Sequence, residues 1–177
     1  MVEFYYHDNK DTPDNFTEAH LTGEHVPEAE LARIGVFYRK CPTIEELDKV
    51  AVERQYKNRD EITLNLKTFN NDLDAYNAKM KQFYAEHYHE DEEIRYIVEG
   101  EGYFDVRNKD DRWIRARMEP EDLLVLPAGI YHRFTLSDGP KHIKAIRLFK
   151  DEPKWEAINR GDRPDSAARQ EYVQSLA

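Results

Sequence analysis

The stretch EHYHEDEEIRYIVEGEGYF, Glu86–Phe104, decides how this chain is read. His87 and His89 are separated by one residue, Glu93 follows, and the run RYIV leads through Glu99 and Gly100 into GYF. In an extended strand, residues i and i+2 share a face, so His87 and His89 point one way and Tyr88 the other. Glu93 keeps that parity if the backbone stays extended. Two imidazoles and a carboxylate converging from one face make a metal site with open positions, the pattern of non-haem iron centres.

Outward from this stretch the β pattern continues. RYIV, GYFDVR, WIRARM, DLLVLP, HRFTL and HIKAIRLF follow one another, separated by Gly, Asp, Asn, Lys or Pro. Short runs at this spacing predict an antiparallel sandwich or barrel. Before them, EFYYH predicts a short strand and residues 11–27 read as a loop. LARIGVFYRK is open between helix and strand, because Gly35 weakens a helix and VFYR favours a strand. TIEELDKVAVERQ, residues 43–55, predicts a helix: Thr43 and Glu46 form a T-x-x-E capping box, and Ile44, Leu47, Val50 and Ala51 recur at helical spacing. A second helix is expected over 71–84, with Leu73, Tyr76, Met80 and Phe83 on one side. The tail returns to helix around Lys154–Asn159 and again after Pro164. The expected plan is one domain, with an N-terminal strand and helix region (1–84), a β core (85–150) and a helical tail (151–177).

Composition narrows the function. A chain of 177 residues suits a single core. The net charge is -10 with basic residues scattered among acids, which argues against nucleic-acid binding. No apolar run approaches the ~20 residues needed to span a bilayer. MVEFYYHDNKD has no basic start and apolar stretch of the signal-peptide kind. Cys41 is the only cysteine, excluding an internal disulfide and a cysteine-based zinc site. A soluble, monomeric, cytoplasmic protein is expected, small enough to diffuse into the nucleus.

The best further ligand is His132 in LPAGIYHRF, where Pro127 and Gly129 turn the chain and His132 opens the next strand. His7, His20 and His25 fall in or near the N-terminal loop and are assigned to exposed surface; His142, beside Lys141, is assigned to the surface as well.

These residues carry a resemblance. H-x-H-x-x-x-E-x-x-x-x-x-x-G, His87 to Gly100, resembles the first cupin motif, and P-x-G-x-x-H, Pro127 to His132, the centre of the second. More narrowly, EHYHEDEEIRYIVEGEGYFDVR, WIRARMEPEDLLVLPAGIYHRFTL and IKAIRLF resemble the acireductone dioxygenase family of methionine salvage, and the likeness runs from the opening aromatic residues to GDRP…RQEYV. Lys81 and Glu121 stand where general cupin patterns begin with glycine, and Leu136 where many have asparagine. The resemblance implies a cupin-type double-stranded β-helix, a jelly-roll barrel, with flanking helices. It implies Fe²⁺ held by His87, His89, Glu93 and His132, with acireductone and O₂ as reactants. The iron form would give formate and 4-methylthio-2-oxobutanoate, and a Ni²⁺ form would release carbon monoxide off pathway, with 3-(methylthio)propanoate and formate. Affinity order does not favour iron, so metal supply decides in part.

Parity extends the site. If Glu93 faces the interior, so do Arg95 and Ile97, while Ile94, Tyr96 and Val98 pack outward. Ile143, Ala145, Arg147 and Phe149 share a face; Lys144 prefers solvent, which puts Arg147 inward and requires a helix over Ile146 and Leu148. A divalent metal with three neutral histidines and one carboxylate leaves +1, and Arg95 and Arg147 bring the pocket to +3 before other acids are counted. Such a pocket favours an anionic oxygen chelator such as an enediolate. Phe83 and Phe134 are candidates for the substrate-facing wall, with core packing the plain alternative. The general base stays open; Asp91 and Glu92 are near in sequence. The competing readings are another metal cupin enzyme, such as a sugar isomerase or a different dioxygenase, and a non-catalytic cupin that binds a ligand or partner.

Overall fold

The computed structural model describes residues 3–152 and 154–177. In chain order the elements are β1 (Glu3–His7), β2 (Leu21–His25), α1 (Glu28–Arg33), β3 (Phe37–Lys40), α2 (Ile44–Glu53) and β4 (Asn58–Leu64). A 3-10 turn (Leu66–Phe69) and α3 (Leu73–Tyr84) follow, then β5 (His87–Tyr88), β6 (Glu93–Gly100), β7 (Gly102–Arg107), β8 (Trp113–Met118), β9 (Asp122–Leu126), β10 (His132–Leu136) and β11 (Ile143–Phe149). The chain ends with β12 (Ile158–Asn159) and α4 (Ala167–Ser175).

Two antiparallel sheets form the body: a seven-stranded one in the order β12-β5-β10-β7-β8-β1-β2, and a five-stranded one in the order β3-β9-β6-β11-β4. This is the mainly β, cupin-type jelly roll with flanking helices that the six β runs and the motifs suggested. The inward side chains of both sheets, among them Phe4, Ile97, Phe104, Ile114, Leu124 and Ala145, make one core. Ile94, Tyr96, Leu123, Val125 and Leu148 face outward from the five-stranded sheet and pack on Leu47, Val50 and Ala51 of α2. That helix is the cover which Ile146 and Leu148 required. Thr43 caps it by accepting the Glu46 N–H. Ile44 and, on α3, Leu73 lie outside the buried stripes at 45% and 58% exposure. In the LARIGVFYRK stretch both elements form in turn: α1 ends before Gly35, whose φ of +80° breaks the chain into β3.

Four local expectations are corrected. Residues 11–27 contain a strand, β2, whose five residues are all exposed; an edge strand with neither face buried shows no alternation to read. Strand β4 was not expected, because NRDEITL buries only its distal end against the core, through Ile62 and Leu64. No helix forms over 154–159 among the described residues; Ile158 and Asn159 instead pair with Tyr88 and His87. Finally, His7 and His20 are not exposed: they retain 3% and 8% of their surface.

The burial of these histidines follows from the outward face of the seven-stranded sheet. Asp105 accepts from Arg115 Nε at 2.7 Å and from Arg133 Nε at 2.7 Å, and all three residues are buried. Charges buried like these need partners for the hydrogen-bonding groups their ion pairs leave over. The segment from Asp8 to His20 supplies them. The Glu18 carbonyl accepts from Arg115, the Ala19 carbonyl from the Tyr5 hydroxyl, and the Asp11 carboxylate from the Tyr84 hydroxyl. The segment is closed by His20, whose Nδ1 meets Asp8 Oδ1 at 2.9 Å and whose Nε2 meets the Asn15 carbonyl at 2.8 Å.

Burial, aided by Arg115, moves His7 from 6.5 down to about 4. The unfolded chain therefore takes up this proton first as pH falls, and stability is lost between pH 6.5 and about 4, with no further loss from this group below. His7→Gln is expected to flatten the decline in folding free energy over that window. Urea melts of both proteins at a series of pH values test this; parallel slopes would contradict it.

Candidate metal centre

His87 lies on β5, His89 one residue past its end, Glu93 opens β6 and His132 opens β10. β5 and β10 are neighbours with His87 opposite His132, so one sheet contributes the three imidazoles, and Glu93 comes from the other sheet. The ring centroids are 5.0 Å apart for His87–His89, 4.5 Å for His87–His132 and 5.0 Å for His89–His132. One ring nitrogen from each histidine falls within 4.8 Å of the other two. Tyr88 points the other way, into a cluster with Tyr131 and Ile158.

Hydrogen bonds orient each ring. His87 Nδ1 meets the Ala85 carbonyl at 2.6 Å, His89 Nδ1 the Glu156 carbonyl at 3.0 Å, and His132 Nδ1 the Ile130 carbonyl at 2.9 Å. A carbonyl only accepts, so each Nδ1 carries the hydrogen and each Nε2 keeps its lone pair, the arrangement typical of metal-binding histidines. Burial, with His132 close by, lowers His87 to about 4. Burial also lowers His89, against the pull of Glu93. Both rings are thereby kept neutral, as ligands must be.

Glu93 Oε2 and His132 Nε2 approach to 2.8 Å, yet both are buried with no hydrogen-bond partner among the described residues. With its hydrogen on Nδ1, His132 turns a lone pair toward the carboxylate, and a divalent ion bound by both groups would relieve that contact, so the donor set fits such an ion. Burial raises the Glu93 pKa, but the Arg95 guanidinium, whose Nη2 lies 2.8 Å from Glu93 Oε1, opposes it, and the carboxyl is held well below its usual range.

The site opens into a cavity of about 420 Å³. Arg95, Arg147, Phe83 and Phe134 all line it, with Phe83 and Phe134 in edge-to-face contact at 5.9 Å. Ile62, Leu64, Ile143 and Ala145 make the apolar wall. Arg147 is not an unpaired charge: Asp60 accepts from its Nε at 2.8 Å and its Nη2 at 2.6 Å, and its Cζ lies 4.0 Å from the Trp155 ring centroid. Burial first, then Arg147, lowers Arg95, and Glu93 opposes both. Asp91 and Glu92 do not line the cavity. Glu92 instead accepts from the Tyr56 hydroxyl at 2.8 Å. His142 is half-buried between Asn65 and Glu99.

Sequence reasoning missed Asp60, Trp155 and the Glu156 carbonyl. Asp60 was out of reach while β4 went unrecognised. Trp155 sits in a stretch whose composition suggested helix, although an aromatic residue shortly after a site-bearing strand was a usable signal.

Two antiparallel sheets enclosing a pocket of three imidazoles and one carboxylate define a metal-binding cupin. The family model described as the ARD/ARD′ family matches residues 3–157. An acireductone dioxygenase of Candida albicans (strain WO-1) is 68% identical over 177 residues, covering 100% of this chain and 99% of the relative. One from Emericella nidulans is 51% identical over 176 residues, covering 99% and 96%. Among solved structures, acireductone dioxygenase from Bacillus anthracis with a cadmium ion in its active centre aligns with a TM-score of 0.66 and 25% identity, over 89% of this chain and 98% of that one. The chain belongs to the ARD/ARD′ family of acireductone dioxygenases, and it is a dioxygenase enzyme. No helix among the described residues is long and apolar enough to cross a membrane.

His132→Ala is expected to weaken divalent-metal binding at least about tenfold, since loss of a ligand exceeds the cost of losing an outer partner. Metal analysis of the purified variant checks this, and unchanged metal content would remove His132 from the set.

Proposed function

We propose that His87, His89, Glu93 and His132 hold Fe²⁺ and that the cavity binds acireductone for cleavage by O₂ in methionine salvage. The observation that carries the reading is the orphaned, buried Glu93–His132 pair facing two more imidazole lone pairs at the floor of a cavity lined by arginines. A divalent ion at this position would supply charge stabilisation for adjacent substrate oxygens and a route for electrons to dioxygen. A cadmium ion in the active centre of the Bacillus anthracis relative supports a divalent occupant.

The chain's own groups then account for substrate choice. The +3 expected before other acids were counted becomes +2, because Asp60 joins the set: Arg95 and Arg147 cancel Glu93 and Asp60, and only the ion's charge remains. An enediol that gives up two protons matches that charge. Arg95 and Arg147 lower the cost of that ionisation and fix the oxygen-bearing end toward the ligands. The apolar wall of Ile62, Leu64, Phe83, Phe134 and Ile143 takes the methylthioalkyl tail and excludes water from it. Neither Asp91 nor Glu92 is placed to act as a base, which favours a substrate that arrives ionised or loses its protons on binding.

The deciding experiment is metal analysis of purified protein, then anaerobic addition of acireductone, then oxygen. Iron-loaded protein is expected to yield formate and 4-methylthio-2-oxobutanoate. Nickel-loaded protein is expected to yield formate, 3-(methylthio)propanoate and carbon monoxide. No oxygen uptake with either metal would defeat the proposal. Arg95→Ala should harm substrate use more than metal content, with kcat/KM per bound metal ion falling, and unchanged kinetics in that variant would remove the charge argument.

A further inference from the structure

Strands β4, β11 and β6 are neighbours, and their pairing lines up Asp60, Arg147 and Arg95 in one row. Two guanidiniums directly opposed on adjacent strands repel each other. Each has its own carboxylate: Glu93, two residues earlier on β6, for Arg95, and Asp60, on β4, for Arg147. Glu93 also belongs to the donor set at the cavity floor. Asp60 does not line the cavity and contacts Arg147 only through the two-point bond to Nε and Nη2. That geometry fixes the plane of the guanidinium, and Trp155 covers its face. What remains free of these contacts is the Nη1 end of a residue that lines the cavity.

We propose that Asp60 is a positioning residue of the reaction, aiming the Arg147 guanidinium at the oxygen-bearing end of the substrate through a two-point carboxylate tether. The inference rests on the acireductone reading of the cavity. Removing Asp60 has two opposed effects. The pocket gains net positive charge, which by itself tightens binding of an anion. Arg147 loses its tether and is pushed by Arg95, which scatters its orientation. The tether dominates, because the Asp60 side chain is 40% exposed and solvent screens its charge at a distance, whereas nothing else among the described contacts fixes the edge of the guanidinium.

The test compares Asp60→Ala, Asp60→Asn and Asp60→Glu in the full chain. All three are expected to keep the parent's metal content. In Asp60→Ala and Asp60→Asn, kcat/KM for acireductone should fall about ten- to a hundredfold, mainly in kcat. Asp60→Glu, which preserves the fork, should recover part of the loss. A readout independent of turnover is the Arg147 Nε–H proton in NMR spectra of zinc-loaded, substrate-free protein, assigned with Arg147→Lys. Its exchange should be slow in the parent and in Asp60→Glu and fast in Asp60→Ala. Parent-like kcat/KM in Asp60→Ala, or a fall in KM alone, would overturn the inference while leaving the acireductone reading intact. Failure of the parent itself to consume oxygen with acireductone would overturn that reading, and the NMR measurement would still report whether the tether holds Arg147.

Discussion

Lone pairs that converge from two sheets are the constraint on which the rest of this molecule is arranged. His132 Nε2 and Glu93 Oε2 meet at 2.8 Å in a buried position where neither has a hydrogen-bond partner among the described residues. Leaving such atoms buried costs roughly 1–3 kcal/mol each. A barrel built only for stability would place aliphatic groups there, as it does nearby at Ile97 and Leu124. The unfavourable contact persists because the surrounding structure over-determines it. Three backbone carbonyls fix the imidazoles, Arg95 fixes the carboxylate, and cross-strand pairing fixes the backbone beneath both.

From that centre, paired charges extend outward along the five-stranded sheet. Arg95, Arg147 and Asp60 lie side by side on β6, β11 and β4, and Glu93, two residues before Arg95 on β6, completes a set of two guanidiniums and two carboxylates. Because the two carboxylates balance the two guanidiniums, the protein bears paired arginines in a cavity without a large uncompensated charge. The pairing also separates tasks. Glu93 is oriented by one arginine for the cavity floor, and the other arginine is oriented by Asp60 for whatever occupies the space above it.

Period-two alternation made much of this legible. Glu93, Arg95 and Ile97 face in, and Ile94 and Tyr96 pack under α2, because strand parity follows from backbone geometry alone. Arg147 was placed inward by its neighbours for the same reason. What escaped was set by tertiary partners. β2 and β4 are edge strands whose residues satisfy no simple alternation. The segment around Trp155 has helical composition, but its chain is held by His89 through the Glu156 carbonyl and by Ile158 against Tyr88. His7 and His20 looked exposed because nothing local revealed that a charged sheet face needed covering. Glu121 is a different kind of surprise. It occupies a position where cupin patterns favour glycine, and it adopts φ +79°, the left-handed backbone that explains the preference. The turn keeps its shape because the Glu121 N–H donates to the Ile97 carbonyl and its carbonyl accepts from the Cys41 N–H, so hydrogen bonds hold a conformation that costs a side chain about 1 kcal/mol or more.

Strand β10 joins the two polar systems of the protein. His132 and Phe134 look into the cavity, and Arg133 between them looks out, into the buried set with Asp105 and Arg115. A slip of one residue in β10 would send His132 to the outer face and bring Arg133 into the cavity. Apolar alternation alone would resist that slip weakly, because β10 alternates two polar residues at its start. The Arg133–Asp105 bond resists it strongly: in the slipped register Asp105 would lose one of its two arginines, leaving a buried guanidinium without its carboxylate, at a cost on the order of 3–5 kcal/mol. The buried ion pairs on one face of the sheet thus set the register that delivers a lone pair to the other. The N-terminal segment, by supplying the Glu18 carbonyl and the Asp11 carboxylate to that network, is tied to the geometry of a site it does not touch.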